Sequence, residues 1–242
     1  MTNWPTASPT EMAWIDADAM REIDRQMVDE LGVVLLQMME NAGRSLAAVV
    51  RAEHDPSTVA VLAGPGGNGG GGLVAARHLH NAGVGVQVVL TTNRERFTEV
   101  AAHQLGIVDR LGIPVVDDAA HFDAAHFDAT DVDVIVDAMV GYSLSGALRG
   151  TAAELALAVA ASSTPVISLD VPSGLSSDPG SAVGGVVADA TVTLCLPKVG
   201  LRDRTEVGRL FVADISVPAT MVQSVTGGPA PPFDRGPIVL VQ

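Results

Sequence analysis

The sequence predicts an α/β fold, a doubly wound and mostly parallel sheet with helices on both faces. Three observations carry this. From Thr58 onward, short runs rich in Val and Ile alternate with longer Ala-rich segments of helical spacing. The short runs are almost continuously apolar, as strands buried on both faces are, where a half-exposed strand would alternate. One of them, TVAVLAG, leads through a glycine run into a helical segment, the order expected of a βαβ unit.

Before Thr58 the chain reads as helical cover. WIDADAMREIDRQMVDEL sets apolar residues three or four apart behind Asp16, a helix-start residue. Gly32 interrupts, and VVLLQMMENAGRSLAAVVRAEH gives a second, more buried helix. The strand candidates that follow are TVAVLAG, VGVQVVL, IPVVD, VDVIVDAM, PVISLDV, ATVTLCL and RLFVADI. GLVAARHLHNAG, RERFTEVAAHQLGIVDRLG and GTAAELALAVAASS are the helices between them. We read residues 1–242 as one domain with its core over 12–218 and a tail over 219–242. The closing IVLVQ is apolar enough to pack on the body or against a second subunit. A tandem repeat of AAHFDA, with His121, Asp123, His126 and Asp128, reads as a surface insertion.

The formal charge of −14 is the wrong sign for a sequence-independent nucleic-acid binder or for a protein that adheres to anionic lipid. No apolar run is long enough to span a bilayer, and no basic segment precedes an apolar one at the amino terminus. A cytoplasmic location is the expectation. The single cysteine, Cys195, cannot form a disulfide within the chain and reads as an inert strand residue of the core.

A glycine turn between strand and helix points backbone N–H groups, and the positive end of the helix dipole, at an anion. The run GPGGNGGGG therefore suggests phosphate binding, and Gly64, Gly66 and Gly69 fit G-x-G-x-x-G. No Gly-Lys-Ser/Thr closes it, so it is not a P-loop. The next strand ends in LTTNRE without an acid for a ribose, which argues against an ordinary dehydrogenase. Other strand ends must complete a site at the carboxyl edge of the sheet. They offer Asp137 in VDAM, Asp170 and Ser173 in LDVPSG, and Lys198, the only lysine, in LPKVGL. Asn68, Asp137 and Ser173 are oxygen donors suited to a hard cation. Lys198 reads as a structural group behind the site, Arg94 as a candidate contact for a 2′-phosphate, and Glu40 and Asn41 as cleft or packing residues.

Five motifs in one order, MENAGR (Met39–Arg44), AGPGGNGGGGLVAARHL, VDAMVGYSLSGALRG, LDVPSG and ADATVTLCLPKVGL, make the chain similar to the YjeF N-terminal domain family. Enzymes of that family are NAD(P)H-hydrate epimerases. The resemblance implies a Rossmann-like three-layer α/β/α sandwich. Its substrate would be NADH or NADPH hydrated at C6 of the nicotinamide, with R and S forms interconverted. It implies a substrate-binding backbone at Gly67, Asn68, Gly69, Gly70 and Gly71, and again at Gly141, Tyr142, Ser143, Leu144, Ser145, Gly146 and Ala147. It gives Asp170 the substrate contact and the acid/base role, and one potassium ion per subunit to Asn68, Asp137 and Ser173. A homodimer is a further implication.

The chain departs from the family pattern at several of these positions. Gly67 stands for an asparagine and Gly71 for an aspartate. Tyr142 and Ser143 stand for threonine and glycine, Ala147 for proline, and Ser176 for a frequent aspartate. A degenerate nucleotide-binding or protein-interaction module without turnover is the alternative these departures leave open.

Overall fold

A computed structural model describes residues 3–117, 131–144, 146–178 and 185–242. The AAHFDA repeat and Ser145 lie outside the described residues. The elements run β1 (Thr6–Ala7), α1 (Ala17–Asp29), α2 (Leu35–His54), β2 (Thr58–Ala63), α3 (Gly67–Asn81), β3 (Gly85–Leu90), α4 (Glu99–Arg110) and β4 (Val115–Val116). They continue with β5 (Val134–Ala138), α5 (Thr151–Ala160), β6 (Val166–Leu169), β7 (Ala190–Leu194), β8 (Arg209–Ala213), α6 (Ala219–Thr226) and β9 (Ile238–Val241).

The strands form one sheet in the order β1-β9-β8-β7-β6-β5-β2-β3-β4, parallel throughout except where β9 runs antiparallel to β8. Side chains alternate between two apolar layers, as the pleat requires. Val59, Val61 and Ala63 of β2 pack with α2, α3 and α4 on one face, while Ala60 and Leu62 pack with α5 on the other. This is the expected α/β/α sandwich. Helix α1 starts where the sequence places it, with the Asp16 side chain accepting from the Ala19 N–H at 2.8 Å. Its apolar stripe, Met20, Ile23 and Met27, joins α6 and the segment after β7 to cover the carboxyl end of the sheet. The closing IVLV packs on the body as β9, pairing with both β8 and β1.

The glycine run differs from its sequence reading. Helix α3 begins at Gly67, inside the run, and not after it. None of Gly64 to Gly72 has a positive φ, so backbone freedom is not what these glycines supply. They supply missing side chains. A Cβ at Gly69 would lie 1.7 Å from the Gly64 carbonyl oxygen, and one at Gly64 would lie 1.8 Å from that of Met139. Cβ atoms at Gly70, Gly71 and Gly72 would strike Met39, Leu169 and Ala138 at 2.6, 2.7 and 2.4 Å. The first turn of α3 is thus pressed against the exits of β2 and β5. Gly67, by contrast, has nothing within 4 Å of its Cβ position. Gly69→Ala is therefore expected to destabilise the protein by about 3 kcal/mol or more. Gly67→Ala should be neutral or stabilising by up to about 1 kcal/mol through helix propensity. Denaturant unfolding of the two variants checks the contrast, and equal stabilities would contradict it.

Candidate active site

The sheet reverses its strand order between β2 and β5, and a crevice opens there at the carboxyl ends of the strands. The cleft is about 400 Å³, within the range of small-molecule sites. Met20, Leu35, Met38, Met39, Leu169, Leu194 and Ile215 make its apolar walls. Gly67, Asn68, Gly71, Gly141, Tyr142, Ser143, Asp170, Lys198 and Asp24 bring polar atoms to it.

Asp170 follows β6 with φ +67, a left-handed conformation that aspartate tolerates better than most residues. Its N–H donates to the Val192 carbonyl at 2.8 Å, tying the bend to β7. The residue is 3% exposed. Oδ2 accepts from the Tyr142 N–H at 2.9 Å, and Oδ1 forms an ion pair with Lys198 Nζ. A Cβ at Gly141 would come within 2.8 Å of Asp170 Oδ2 and 3.1 Å of Asn68 Oδ1, so only glycine lets these three segments meet.

Lys198 does not sit behind the site. It lines the cleft, fully buried, and besides Asp170 its Nζ donates to the Leu194 carbonyl at 2.8 Å and to Thr193 Oγ1 at 3.3 Å. Its backbone is fixed from the other side, since Ile15 N–H donates to Pro197 O and Val199 N–H to Ile15 O, each at 3.0 Å. Cys195, expected in the strand, lies one residue past β7 with φ +65, and burial pushes its thiol up to about 12. It is inert core, as its apolar setting suggests.

Asp137 lies within β5 and is fully buried. It accepts from Ser168 Oγ at 2.8 Å, Ser173 N at 2.8 Å and Ser173 Oγ at 2.6 Å. Burial raises its carboxyl above the usual range, against the pull of these hydrogen bonds. Ser173 Oγ also accepts from the Val140 N–H at 3.0 Å. Asn68 lies at the start of α3, where its side chain reaches the exit of β6 and the loop after β5. Its amide nitrogen donates to Leu169 O and its amide oxygen accepts from the Gly141 N–H, each at 3.3 Å.

The donor set fits an alkali cation: one carboxylate, an amide oxygen and a hydroxyl, all hard oxygens with a single negative charge. Among the described residues no group of three or more His, Cys, Asp or Glu is placed to hold a metal ion.

The structure divides the remaining expected residues. Gly67 and Gly71 line the cleft, while Gly69 and Gly70 are buried on the packed side of α3. Tyr142 and Ser143 line it; Leu144 donates its N–H to Gly141 O at 3.2 Å, and Gly146 and Ala147 are exposed beyond it. Arg94 is held by Asp109, at 2.7 Å, and by Asp117. Glu40 is held by Arg77 and His78, and Asn41 donates to Ser216 Oγ at 2.7 Å. None of these last three lines the cleft.

Asp24 is the residue that sequence reasoning missed, as one acid among several on an amphipathic helix. The structure turns it into the cleft, where its Oδ2 accepts from the Tyr142 hydroxyl at 2.6 Å. No helix of the described residues is long and apolar enough to cross a membrane.

The family described as YjeF-related protein N-terminus matches residues 35–200. A Dehalogenimonas lykanthroporepellens protein named NAD(P)H-hydrate epimerase is 42% identical over 218 residues, covering 88% of this chain and 86% of its own length. The Limosilactobacillus fermentum protein of the same name is 35% identical over 210 residues, covering 85% of this chain and 97% of its own length. A Salinibacter ruber protein named bifunctional NAD(P)H-hydrate repair enzyme Nnr is 36% identical over 84% of this chain, which spans 41% of that relative. The crystal structure of yeast ynu0 superposes with a TM-score of 0.81 at 26% identity, over 95% of this chain and all of that one.

Proposed function

The chain belongs to the YjeF-related N-terminal family, and from that membership we propose that its cleft epimerises NAD(P)H hydrate, interconverting R and S forms at C6 of the hydrated nicotinamide. The observation that carries the chemistry is the ion pair of Asp170 and Lys198, buried at the floor of a cleft that the first turn of α3 borders. That pair puts a proton acceptor and a proton donor side by side beneath apolar walls.

Epimerisation needs C6 to lose its configuration and regain it. The Asp170 carboxylate takes the proton of the C6 hydroxyl while the N1–C6 bond breaks. The electron pair of that bond stays on N1, which takes a proton from Lys198, and C6 becomes an aldehyde. Rotation about C5–C6 presents the other carbonyl face to N1. Closure returns both protons to their donors and leaves the opposite hydroxyl configuration. Paired acid–base help of this sort is worth about 10²–10⁴-fold.

The first turn of α3 has no side-chain cap at Gly66, so its backbone and dipole suit the cofactor's diphosphate. Gly67, with nothing within 4 Å of its Cβ position, leaves that approach clear, while Gly71 gives its space to Leu169. Asn68, Asp137 and Ser173 would hold a potassium ion, which when bound supplies positive charge to offset Asp137 and the phosphates. Asp137 in turn fixes Ser173 and the bend that carries Asp170.

Incubation with the pure R hydrate, with the epimers separated by chromatography, tests the reading. The S form should accumulate to equilibrium, faster in potassium than in sodium buffer. Adenine-nucleotide binding with the R hydrate left unchanged would overturn it in favour of a binding module.

A further inference from the structure

Tyr142 is held at both ends by carboxylates from different parts of the chain. Its backbone N–H donates to Asp170 Oδ2 at 2.9 Å, and its hydroxyl donates to Asp24 Oδ2, on α1, at 2.6 Å. Its carbonyl accepts from Ser177 Oγ at 2.9 Å. Between these anchors the ring lines the cleft, with Lys198 Nζ 5.9 Å from its centroid. One of the two oxygens of the reacting carboxylate therefore takes its hydrogen bond from a residue whose far end is fixed by α1.

Met20, Ile23 and Met27 pack α1 on the body, while Asp24 lines the cleft. A carboxylate half-buried beside methionines is costly unless it is hydrogen-bonded, and burial raises its pKa.

We infer that Asp24 is a positioning residue for the epimerisation: through the Tyr142 hydroxyl it fixes the loop after β5, and with it the Tyr142 N–H that orients Asp170. The inference rests on the epimerase reading of the cleft. It accounts for a large aromatic at this point of the loop, since the Tyr142 side chain spans from the Asp170 bend to α1.

The chain has one tyrosine, so its ionisation can be followed alone by tyrosinate absorbance. The charged groups facing the phenol are Asp24 and Arg21 from α1, Asp170 after β6 and Lys198 after β7. Burial, then Asp24, pushes the phenol well above its ordinary value, with Asp170 adding and Arg21 opposing. Raising the pH on the folded wild type should leave Tyr142 un-ionised where an exposed tyrosine titrates. The midpoint should fall in Asp24→Ala.

In the epimerisation assay, Asp24→Ala and Tyr142→Phe should each lower kcat about tenfold with a smaller change in KM. The double variant should be no slower than either, because both break one link. Asp24→Asn keeps a neutral acceptor and should recover most of kcat. Losses that multiply in the double variant, wild-type kcat in folded single variants, or a Tyr142 midpoint indifferent to Asp24 would overturn the inference. An inactive wild type with the Asp24-dependent midpoint intact would instead count against the epimerase reading, so the two failures are distinguishable.

Discussion

Asp170→Asn is expected to lower kcat for hydrate interconversion by about 10²–10⁴-fold, the contribution of one well-placed proton-transfer group. Asparagine keeps the size of the side chain and can accept the Tyr142 N–H bond made now by Oδ2 at 2.9 Å. It cannot take the hydroxyl proton. The loss should therefore fall on kcat, with KM changed much less, because the walls and the α3 terminus proposed to bind the cofactor are untouched. Circular dichroism of the variant guards against a trivial loss of fold. A kcat within threefold of wild type, in a folded variant, would remove Asp170 from the proton transfer.

What could be read from the sequence follows how local each signal is. The strands from β2 to β8 were legible because both faces of the sheet are covered, which leaves apolar runs with little else in them. Asp16 announced α1 because an N-cap is a contact three residues long. The start of α3 was not legible. Glycine is a poor helix former, so a run of it reads as a turn. Here tertiary packing overrides propensity, because Met39, Leu169, Ala138 and the Gly64 carbonyl occupy the space where side chains would be. β1 is two residues long and exists only through β9, from the other end of the chain.

The site shows the same division. Asp137, Asp170 and Ser173 stood out as polar residues at the ends of apolar strands. The contact of Asp24 with Tyr142 joins residues 118 apart in sequence, and nothing in an amphipathic helix says which of its acids turns inward. Lys198 was conspicuous as the only lysine. Its meeting with Asp170 depends on β6 and β7 being neighbours and on two left-handed residues, Asp170 and Cys195, that bend the chain after each strand.

That meeting sets the other large effect, Lys198→Met. The ammonium is fully buried beside the carboxylate of Asp170, a residue 3% exposed. Removing one member of a buried pair strands the other, at a cost of about 3–5 kcal/mol, where replacing both by groups of similar shape is often neutral. Lys198→Met should accordingly lower the melting temperature by roughly 10 °C and weaken turnover, since Asp170 loses both its partner and the proton for N1. Combined with Asp170→Asn, the same substitution should regain most of the stability and none of the activity. That sign reversal separates the two roles of the pair: stability depends on the charges matching, and turnover on both being present. If the double variant is less stable than Lys198→Met alone, the pair is held by something other than mutual neutralisation, and Asp170 would have to be charged against a different group.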